Sequence, residues 1–208
     1  MDVRFKVPAN SYISGQSQSG KSYLVRKLLH HLNELFYPVP SKVIYCYGEY
    51  QKEFDELHGV DFVEGFPTDL NQLTQGHEQT LLILDDLMGE CSKDQRVSDL
   101  FTRGSHHKGV SVLYLTQNLF PPGKLSRTIS LNSHYIIVFR NPRDSLGIAT
   151  LAKQMFPRRS QYLMDSFHDA TKKPYSYLLI DCHPQTPENV RLRTNILPGE
   201  RHIVYMQK

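Results

Sequence analysis

The chain has 208 residues, of which 39% are hydrophobic and 22% charged, and its formal net charge is +3. This length and composition suit one α/β domain with its own core, and they exclude both a disordered chain and two full-size domains. No run of about 18 apolar residues is present to span a membrane, and three widely separated cysteines do not suit a disulfide framework, so we expect an intracellular protein that is neither secreted nor membrane-bound.

Apolar runs of strand length alternate with helical patterns along the chain, which is typical of a parallel sheet with crossover helices. Strands are predicted at 11–14, 43–47, 80–84, 110–115, 134–139 and 177–180. Helices are predicted at 23–36, 93–103, 146–155 and 161–168. Because the strands are continuously apolar, both faces of the sheet are expected to be buried. We therefore predict an α/β fold with a largely parallel β-sheet flanked by helices.

The sequence also suggests how the domain is divided. Residues 1–183 contain all of the predicted strands and helices, and we expect them to form one domain. Residues 184–208 are rich in proline, arginine and polar side chains. They are expected to form a C-terminal tail or a surface arm of the same domain.

A phosphate-binding loop follows the first predicted strand. Residues 15–22 match the pattern G-x-x-x-x-G-K-[ST], and they are Gly15, Gln16, Ser17, Gln18, Ser19, Gly20, Lys21 and Ser22. The two glycines let successive backbone N–H groups point at phosphate oxygens, and the following helix adds its positive end. Lys21 is expected to reach the β- and γ-phosphates of ATP, and the Ser22 hydroxyl to bind Mg²⁺. The position after a strand and before a helix favours this interpretation over a Gly/Ser-rich turn.

Two adjacent acids follow the central predicted strand. The apolar run at 81–84 ends in Asp85 and Asp86, which is the arrangement of a Walker B motif. Asp85 is expected to hold the Mg²⁺ shell and Asp86 to orient or deprotonate the attacking water. The alternative is an ordinary turn, because aspartate favours turns after strands. A second acid directly after the first is typical of ATPases of the additional-strand class, so the pair favours hydrolysis.

The strand predicted at 110–115 supplies a candidate sensor. It is followed by Gln117, which we expect to contact the γ-phosphate, although a polar residue that ends a strand is the alternative. Ring-forming ATPases often complete the site with an arginine from a neighbouring subunit. Arg103 is our first candidate for that role, and Arg127, Arg140 and Arg143 remain open.

Several blocks of sequence resemble one family. The order of the phosphate loop, then Leu-Leu-Ile-Leu-Asp-Asp at 81–86, then Leu-Tyr-Leu-Thr-Gln-Asn at 113–118 resembles the FtsK–HerA superfamily of DNA-pumping ATPases. The blocks at 103–112, 126–144 and 191–199 look like its viral genome-packaging branch, found in poxviruses, other large DNA viruses and Polinton-like elements. The resemblance covers nearly the whole chain. It departs from the family at Ser105 and His106, where relatives commonly have a basic residue.

The resemblance implies a RecA-like P-loop domain that hydrolyses ATP with Mg²⁺ and assembles into a homo-oligomeric ring. Such a ring threads double-stranded DNA into a capsid, beside a capsid or portal protein, in the host nucleus or cytoplasm. Contacts to DNA phosphates are expected to lack sequence preference and to weaken with salt. The charge distribution agrees with this: residues 44–90 carry eleven acidic side chains and one basic, whereas residues 91–160 carry eleven basic and three acidic.

Two other functions remain open from the sequence. A nucleotide or nucleoside kinase would need an acceptor pocket and an arginine-rich lid, and no clear lid is present in the sequence. A nucleotide-gated assembly protein would bind ATP without significant turnover. The intact Lys21, Asp85 and Asp86 argue against an inactive site.

Overall fold

A computed structural model describes residues 3–87, 94–104, 109–120 and 124–207. The described chain forms a nine-stranded sheet, in the order β11-β10-β9-β8-β2-β7-β6-β4-β5, and a separate parallel pair, β1 with β3. The strands are β1 (Phe5–Lys6), β2 (Asn10–Ser14), β3 (Phe36–Tyr37), β4 (Lys42–Tyr47), β5 (Val60–Glu64), β6 (Thr80–Asp85), β7 (Val110–Thr116), β8 (Tyr135–Phe139), β9 (Tyr177–Asp181), β10 (Leu192–Thr194) and β11 (Ile203–Tyr205).

Six adjacent strands of the large sheet, from β8 to β5, run parallel to one another. The remaining three strands, β9, β10 and β11, pair antiparallel. β7 lies between β2 and β6, so an extra strand separates the strand before the phosphate loop from the strand before the acid pair. The predicted α/β fold with a largely parallel sheet and an additional strand is therefore confirmed.

Helices occupy most of the connections between strands of the large sheet. They are α1 (Lys21–His30), α2 (Leu32–Leu35), α3 (Leu70–Thr74), α4 (Gln95–Asp99), α5 (Lys124–Leu131), α6 (Ser145–Met155) and α7 (Ser160–Ala170). Short 3₁₀ turns occupy Lys52–Glu56 and Glu188–Val190, and a π-helical turn occupies Leu100–Gly104. Among the described helices, none is long and apolar enough to cross a lipid bilayer.

Two predicted helices differ from the observed ones. The helix expected at 23–36 begins earlier, at Lys21, and is interrupted at His31, whose backbone leaves the helical conformation with φ −112° and ψ 29°. Phe36, its predicted last residue, lies in β3 instead. In the region expected to be helical at 93–103, the described residues form the short helix α4 and then the π-helical turn Leu100–Gly104.

The large sheet has a hydrophobic core on each face. Because side chains alternate along a strand, Tyr12 of β2 enters one core and its neighbour Ile13 enters the other. α1 buries Leu28 in the Ile13 core, whereas α6 and α7 bury Leu151 and Leu163 in the Tyr12 core. Burial on both faces explains why the central strands are continuously apolar.

The segment that follows residue 183 contributes two strands, β10 and β11, to the large sheet. Arg193 of β10 is only 2% exposed, and its guanidinium donates a 2.7 Å hydrogen bond to the carboxylate of Asp181 at the end of β9. A second guanidinium nitrogen of Arg193 donates to the Val3 carbonyl at 2.7 Å. A buried charge must be paired to be tolerated. The ion pair ties β10 to β9, and the hydrogen bond to Val3 ties β10 to the N-terminal segment.

Candidate nucleotide site

The phosphate loop joins the carboxyl end of β2 to the start of α1. Gly15 follows β2 directly, and a Cβ added there would lie 2.7 Å from Cβ of Phe139 and 2.5 Å from Oγ of Ser19, so only glycine fits. Gly20 precedes α1 with φ of 105°, which is a conformation that glycine adopts without steric cost. The N–H of Gly15 donates to the Thr116 carbonyl at 3.1 Å, which ties the loop to the end of β7.

Lys21 lies folded over the loop. Its Nζ donates to the carbonyl oxygens of Gly15 at 2.6 Å and Gln16 at 3.1 Å. Burial lowers the pKa of the Lys21 amine, whereas the negative charges of Asp85 and Asp86 act in the opposite direction. The lysine is therefore held at the loop, on the side that faces the two acids.

The Asp85 carboxylate is the centre of a small hydrogen-bonded group. Its Oδ2 accepts a 3.0 Å bond from the Ser22 hydroxyl and a 2.6 Å bond from the hydroxyl of Tyr45, a fully buried residue of β4. Burial raises the pKa of Asp85, and these two hydrogen bonds together with the Lys21 charge act to lower it. Asp85 is thus placed by side chains from α1 and from a neighbouring strand.

Ser22 and Asp85 fit a magnesium ion. Mg²⁺ takes oxygen ligands, and it commonly binds proteins through one or two carboxylates while it keeps water and phosphate oxygens in its shell. The structure offers a hydroxyl oxygen and a carboxylate 3.0 Å apart, with Lys21 on the same side of the loop. The donor set and its position therefore suit an ion that would be shared with bound phosphates.

Asp86 follows the end of β6 in an unusual backbone conformation. Its φ is 57°, in the left-handed region that few residues other than glycine, asparagine and aspartate occupy. Gly48 allows this turn, because a Cβ at Gly48 would lie only 2.9 Å from the Asp86 carbonyl oxygen. The turn leaves the Asp86 side chain exposed, whereas its neighbour Asp85 is buried.

The structure brings the predicted phosphate, metal, acid and sensor residues together in one cleft of about 180 Å³. The predicted residues that line it are Ser17, Gln18, Lys21, Ser22, Asp85, Asp86 and Gln117. Gln16 and Ser19 of the loop line a second cleft beside it instead. Three further lining residues, Gln51, Leu115 and Thr116, were not predicted as site residues from the sequence. No local pattern marks Gln51, which lies in the segment after β4 and is distant in sequence from the phosphate loop and the acid pair.

The loop that carries Gln117 is held from two sides. The Asp144 carboxylate accepts the Leu119 N–H at 2.9 Å through one oxygen and the Gly147 N–H, at the start of α6, at 3.2 Å through the other. From the other side, the Tyr12 hydroxyl contacts the Asn118 and Leu119 carbonyls at 3.1 and 3.0 Å. These contacts fix the backbone that follows β7, and neither Asp144 nor Tyr12 was predicted as a site residue.

The candidate arginines do not line this cleft where their side chains are described. Arg127, Arg140 and Arg143 are exposed, and Arg140 lines the second cleft beside the phosphate loop. The side chain of Arg103, and the residues Ser105 and His106, lie outside the described part of the chain. Among the described residues, Lys21 is the only cation that lines the cleft of the acid pair.

The fold is similar to that of solved NTPases. The genome packaging NTPase B204 of Sulfolobus turreted icosahedral virus 2, in complex with ATPγS, matches with 18% identity and a TM-score of 0.56, over 86% of this chain and 94% of that one. A B204 described as a DNA-packaging ATPase from Sulfolobus turreted icosahedral virus matches with 16% identity and a TM-score of 0.57, over 86% and 94% of the two chains. This is the RecA-like P-loop NTPase fold.

A larger protein contains a similar unit. The cytoplasmic domain of the type VII secretion ATPase EccC of Thermomonospora curvata matches with 14% identity and a TM-score of 0.52, over 86% of this chain and 24% of that one. No protein-family model matches the chain, and no curated protein matches it. The comparisons thus confirm the predicted fold class.

Proposed function

We propose that this chain is a Mg²⁺-dependent ATPase that moves double-stranded DNA, as a genome-packaging motor does. One observation carries the ATPase part of the proposal. Lys21, Ser22, Asp85, Asp86 and Gln117, which come from three separate segments of the sequence, line a single cleft at the phosphate loop. A phosphate-binding loop, a pair of acids and a polar residue on the neighbouring strand are the groups that nucleotide hydrolysis requires.

Each group has a distinct task in this proposal. The loop N–H groups and Lys21 bind the phosphates, and Ser22 and Asp85 hold the metal ion, which neutralises the phosphate charge when bound. Asp86, with its exposed carboxylate, orients the attacking water and accepts its proton. Gln117 contacts the γ-phosphate. This division agrees with the structure, in which Asp85 is buried and hydrogen-bonded whereas Asp86 is not buried.

The small number of cations in the cleft supports a site that a neighbouring subunit completes. A transferring phosphoryl group carries several negative charges, and hydrolysis is accelerated when cations neutralise them. Lys21 is the one cation that the described residues place in the cleft. We therefore propose a homo-oligomeric ring in which a neighbouring subunit supplies an arginine, with Arg103 as the first candidate and Arg127, Arg140 and Arg143 as the others.

The DNA-moving part of the proposal has two supports. The first is the uneven charge of the chain, whose residues 91–160 carry eleven basic and three acidic side chains. The second is the similarity of fold to B204, which is described as a genome packaging NTPase and a DNA-packaging ATPase. In this proposal the basic surface contacts DNA phosphates without reading base sequence, and a capsid or portal protein is the partner that receives the DNA.

Steady-state ATPase activity tests the proposal. The purified chain is assayed with and without long double-stranded DNA across a series of salt concentrations, and Lys21→Ala serves as the inactive control. We expect hydrolysis that DNA stimulates and that loses this stimulation as salt rises. ATPase activity that DNA does not change at any salt concentration would reject the proposal that the chain moves DNA. Tight ATP binding without turnover would instead favour the nucleotide-gated assembly protein, and phosphoryl transfer to a nucleoside or nucleotide would favour a kinase.

A further inference from the structure

A second cleft lies on the other side of the phosphate loop from the acid pair. It has a volume of about 400 Å³, and Gln18 of the loop lines both clefts. Its other walls come from the end of β8 and from the turn before β9, including Phe139, Arg140 and Tyr175. β2 lies between β7 and β8 in the sheet, so the loop that follows β2 separates an acid-lined cleft on the β7 side from this cleft on the β8 side.

Tyr175 is the notable side chain of this second cleft. It is 67% exposed, although it packs so closely on the phosphate loop that a Cβ at Gly20 would lie 3.2 Å from its Cδ1 atom. The buried ring of Phe139 lies beside it, with Cε1 3.4 Å from the same point. An exposed aromatic ring therefore lies directly against a loop whose shape is suited to phosphate.

The backbone holds Tyr175 in this position. The Ser176 N–H donates to the Lys173 carbonyl at 3.3 Å, which closes a four-residue turn with Pro174 second and Tyr175 third. The φ angle of Tyr175 is 63°. A turn with proline second and a positive φ third is of type II, and such turns favour glycine at the third position. Strained backbone of this kind is commonly found at ligand-binding sites.

We propose that the second cleft binds the nucleoside part of the nucleotide, and that Tyr175 is the surface on which a purine base stacks. This inference rests on the proposed function, because it takes the phosphates to lie on the loop. With the terminal phosphate directed to Asp85 and Asp86 on one side, the base and ribose extend to the other side. The cleft volume falls within the range of about 300–1,000 Å³ that small-molecule sites occupy.

The charges around the second cleft agree with this assignment. Its basic lining residues are Arg140, Lys172 and Lys173, and no acidic side chain lines it among the described residues. Lys172 is paired with Asp169 at 2.6 Å. A nucleotide carries its negative charge on the phosphates, so basic groups beside the loop suit the phosphate that joins the ribose. The aromatic ring of Tyr175 is then available to stack on the uncharged base.

Binding measurements with two ligands test the assignment. Mg²⁺-ADP and Mg²⁺-pyrophosphate are titrated calorimetrically into the wild type, Tyr175→Ala and Tyr175→Phe. We expect Tyr175→Ala to weaken ADP about tenfold, the scale of one base–aromatic stack, while Tyr175→Phe keeps the wild-type affinity. Pyrophosphate, which has no base, should bind all three proteins equally. Tyr37→Ala, which removes an exposed tyrosine that does not line the cleft, is the matched control and should match the wild type.

Three other results would overturn the assignment, and they differ in whether the proposed ATPase function is also rejected. Equal ADP affinity in the wild type and Tyr175→Ala would reject the base-stacking role while the proposed ATPase stands. An equal loss for ADP and pyrophosphate would show that Tyr175 supports the loop and not the base. A wild type that binds neither ligand would reject the proposed function itself, and this inference with it.

Discussion

The hydroxyl of Tyr45 donates a 2.6 Å hydrogen bond to Oδ2 of Asp85, across two adjacent strands. Tyr45 pairs in register with Ile83, so its side chain shares a face with that of Asp85, two residues further along β6. The same Oδ2 accepts the Ser22 hydroxyl. A buried tyrosine from the neighbouring strand therefore helps to fix the carboxylate that we assign to magnesium.

The first prediction concerns Tyr45→Phe, which removes this hydrogen bond and keeps the ring. Because partners that orient a metal ligand typically contribute about 10- to 100-fold to metal affinity or activity, we expect the Mg²⁺ concentration for half-maximal ATPase to rise by about that factor. Activity at saturating Mg²⁺ should fall less. Mg²⁺ titrations of ATPase activity measure both. Tyr135→Phe, a buried tyrosine that lines neither cleft at the phosphate loop, should titrate like the wild type.

The second prediction concerns Asp86→Asn. Asparagine tolerates the left-handed backbone at this position as aspartate does, so the fold should be kept. Removal of a general base typically costs about 10²- to 10⁴-fold in rate, and we expect a loss of that size in ATP turnover with ATP binding retained. Single-turnover hydrolysis and equilibrium binding measure the two effects. The control is Asp61→Asn, which changes an exposed carboxylate that pairs with Lys42. Normal turnover in Asp86→Asn would remove Asp86 from its role.

The third prediction concerns the buried pair of Arg193 and Asp181. Arg193→Met leaves the Asp181 carboxylate buried without its charged partner, and breaking a buried pair in this way typically costs about 3–5 kcal/mol. Asp181→Asn combined with Arg193→Met removes both charges and keeps an oxygen for the His183 N–H, which Asp181 accepts at 3.0 Å. We expect the double variant to be more stable than Arg193→Met alone. Urea unfolding measures the free energy of unfolding of both variants. Equal values would show that the unpaired charge of Asp181 does not cause the loss of stability in Arg193→Met.

The fourth prediction concerns pH. Burial, and then the charge of Lys6, lowers the pKa of His183, while the charge of Asp181 opposes this. Its Nδ1 accepts the Gln185 N–H at 3.2 Å, which only the neutral ring can do. His183 therefore binds a proton at higher pH in the unfolded chain than in the folded chain. As a result, the free energy of unfolding decreases as the pH falls below about 6.5, the pKa of histidine in an unfolded chain.

The measurement compares urea unfolding at pH 7.5 and pH 5.5. We expect His183→Gln to lose less stability than the wild type between these two values, because it no longer carries the group that resists protonation. The control, His58→Gln, removes an exposed histidine and should keep the loss seen in the wild type. If His183→Gln loses as much stability as the wild type between the two pH values, other groups cause the pH dependence.

The sequence predicted the central strands and most of the residues that line the cleft of the acid pair, because their signals are local. The phosphate loop and the acid pair are short patterns next to apolar runs. The fold brings them together because both follow the carboxyl ends of parallel strands, β2 and β6. Tyr45 was missed because its role depends on which strand lies beside β6, and that pairing leaves no trace within β4 itself. Gln51 and Asp144 were missed for the same reason.

The peripheral elements were harder to predict. β5 lies at the edge of the sheet, and its residues are only partly buried, so its apolar pattern is weak. β10 contains a charged residue at a fully buried position, which is possible only because Asp181 neutralises Arg193. α5 follows a Pro-Pro-Gly sequence that indicates a loop, and the helix begins immediately after it.

The two oxygens of Asp144 serve two different parts of the backbone, one at Leu119 after β7 and one at Gly147 at the first turn of α6. Gln117 lies only two residues before Leu119, at the end of the same strand. If Gln117 contacts the terminal phosphate as we propose, a backbone movement there that reaches Leu119 would either break the bond to Asp144 or move the start of α6. In the proposed ATPase, the Asp144 carboxylate would then act as a mechanical coupling between the nucleotide and a helix packed on one face of the sheet.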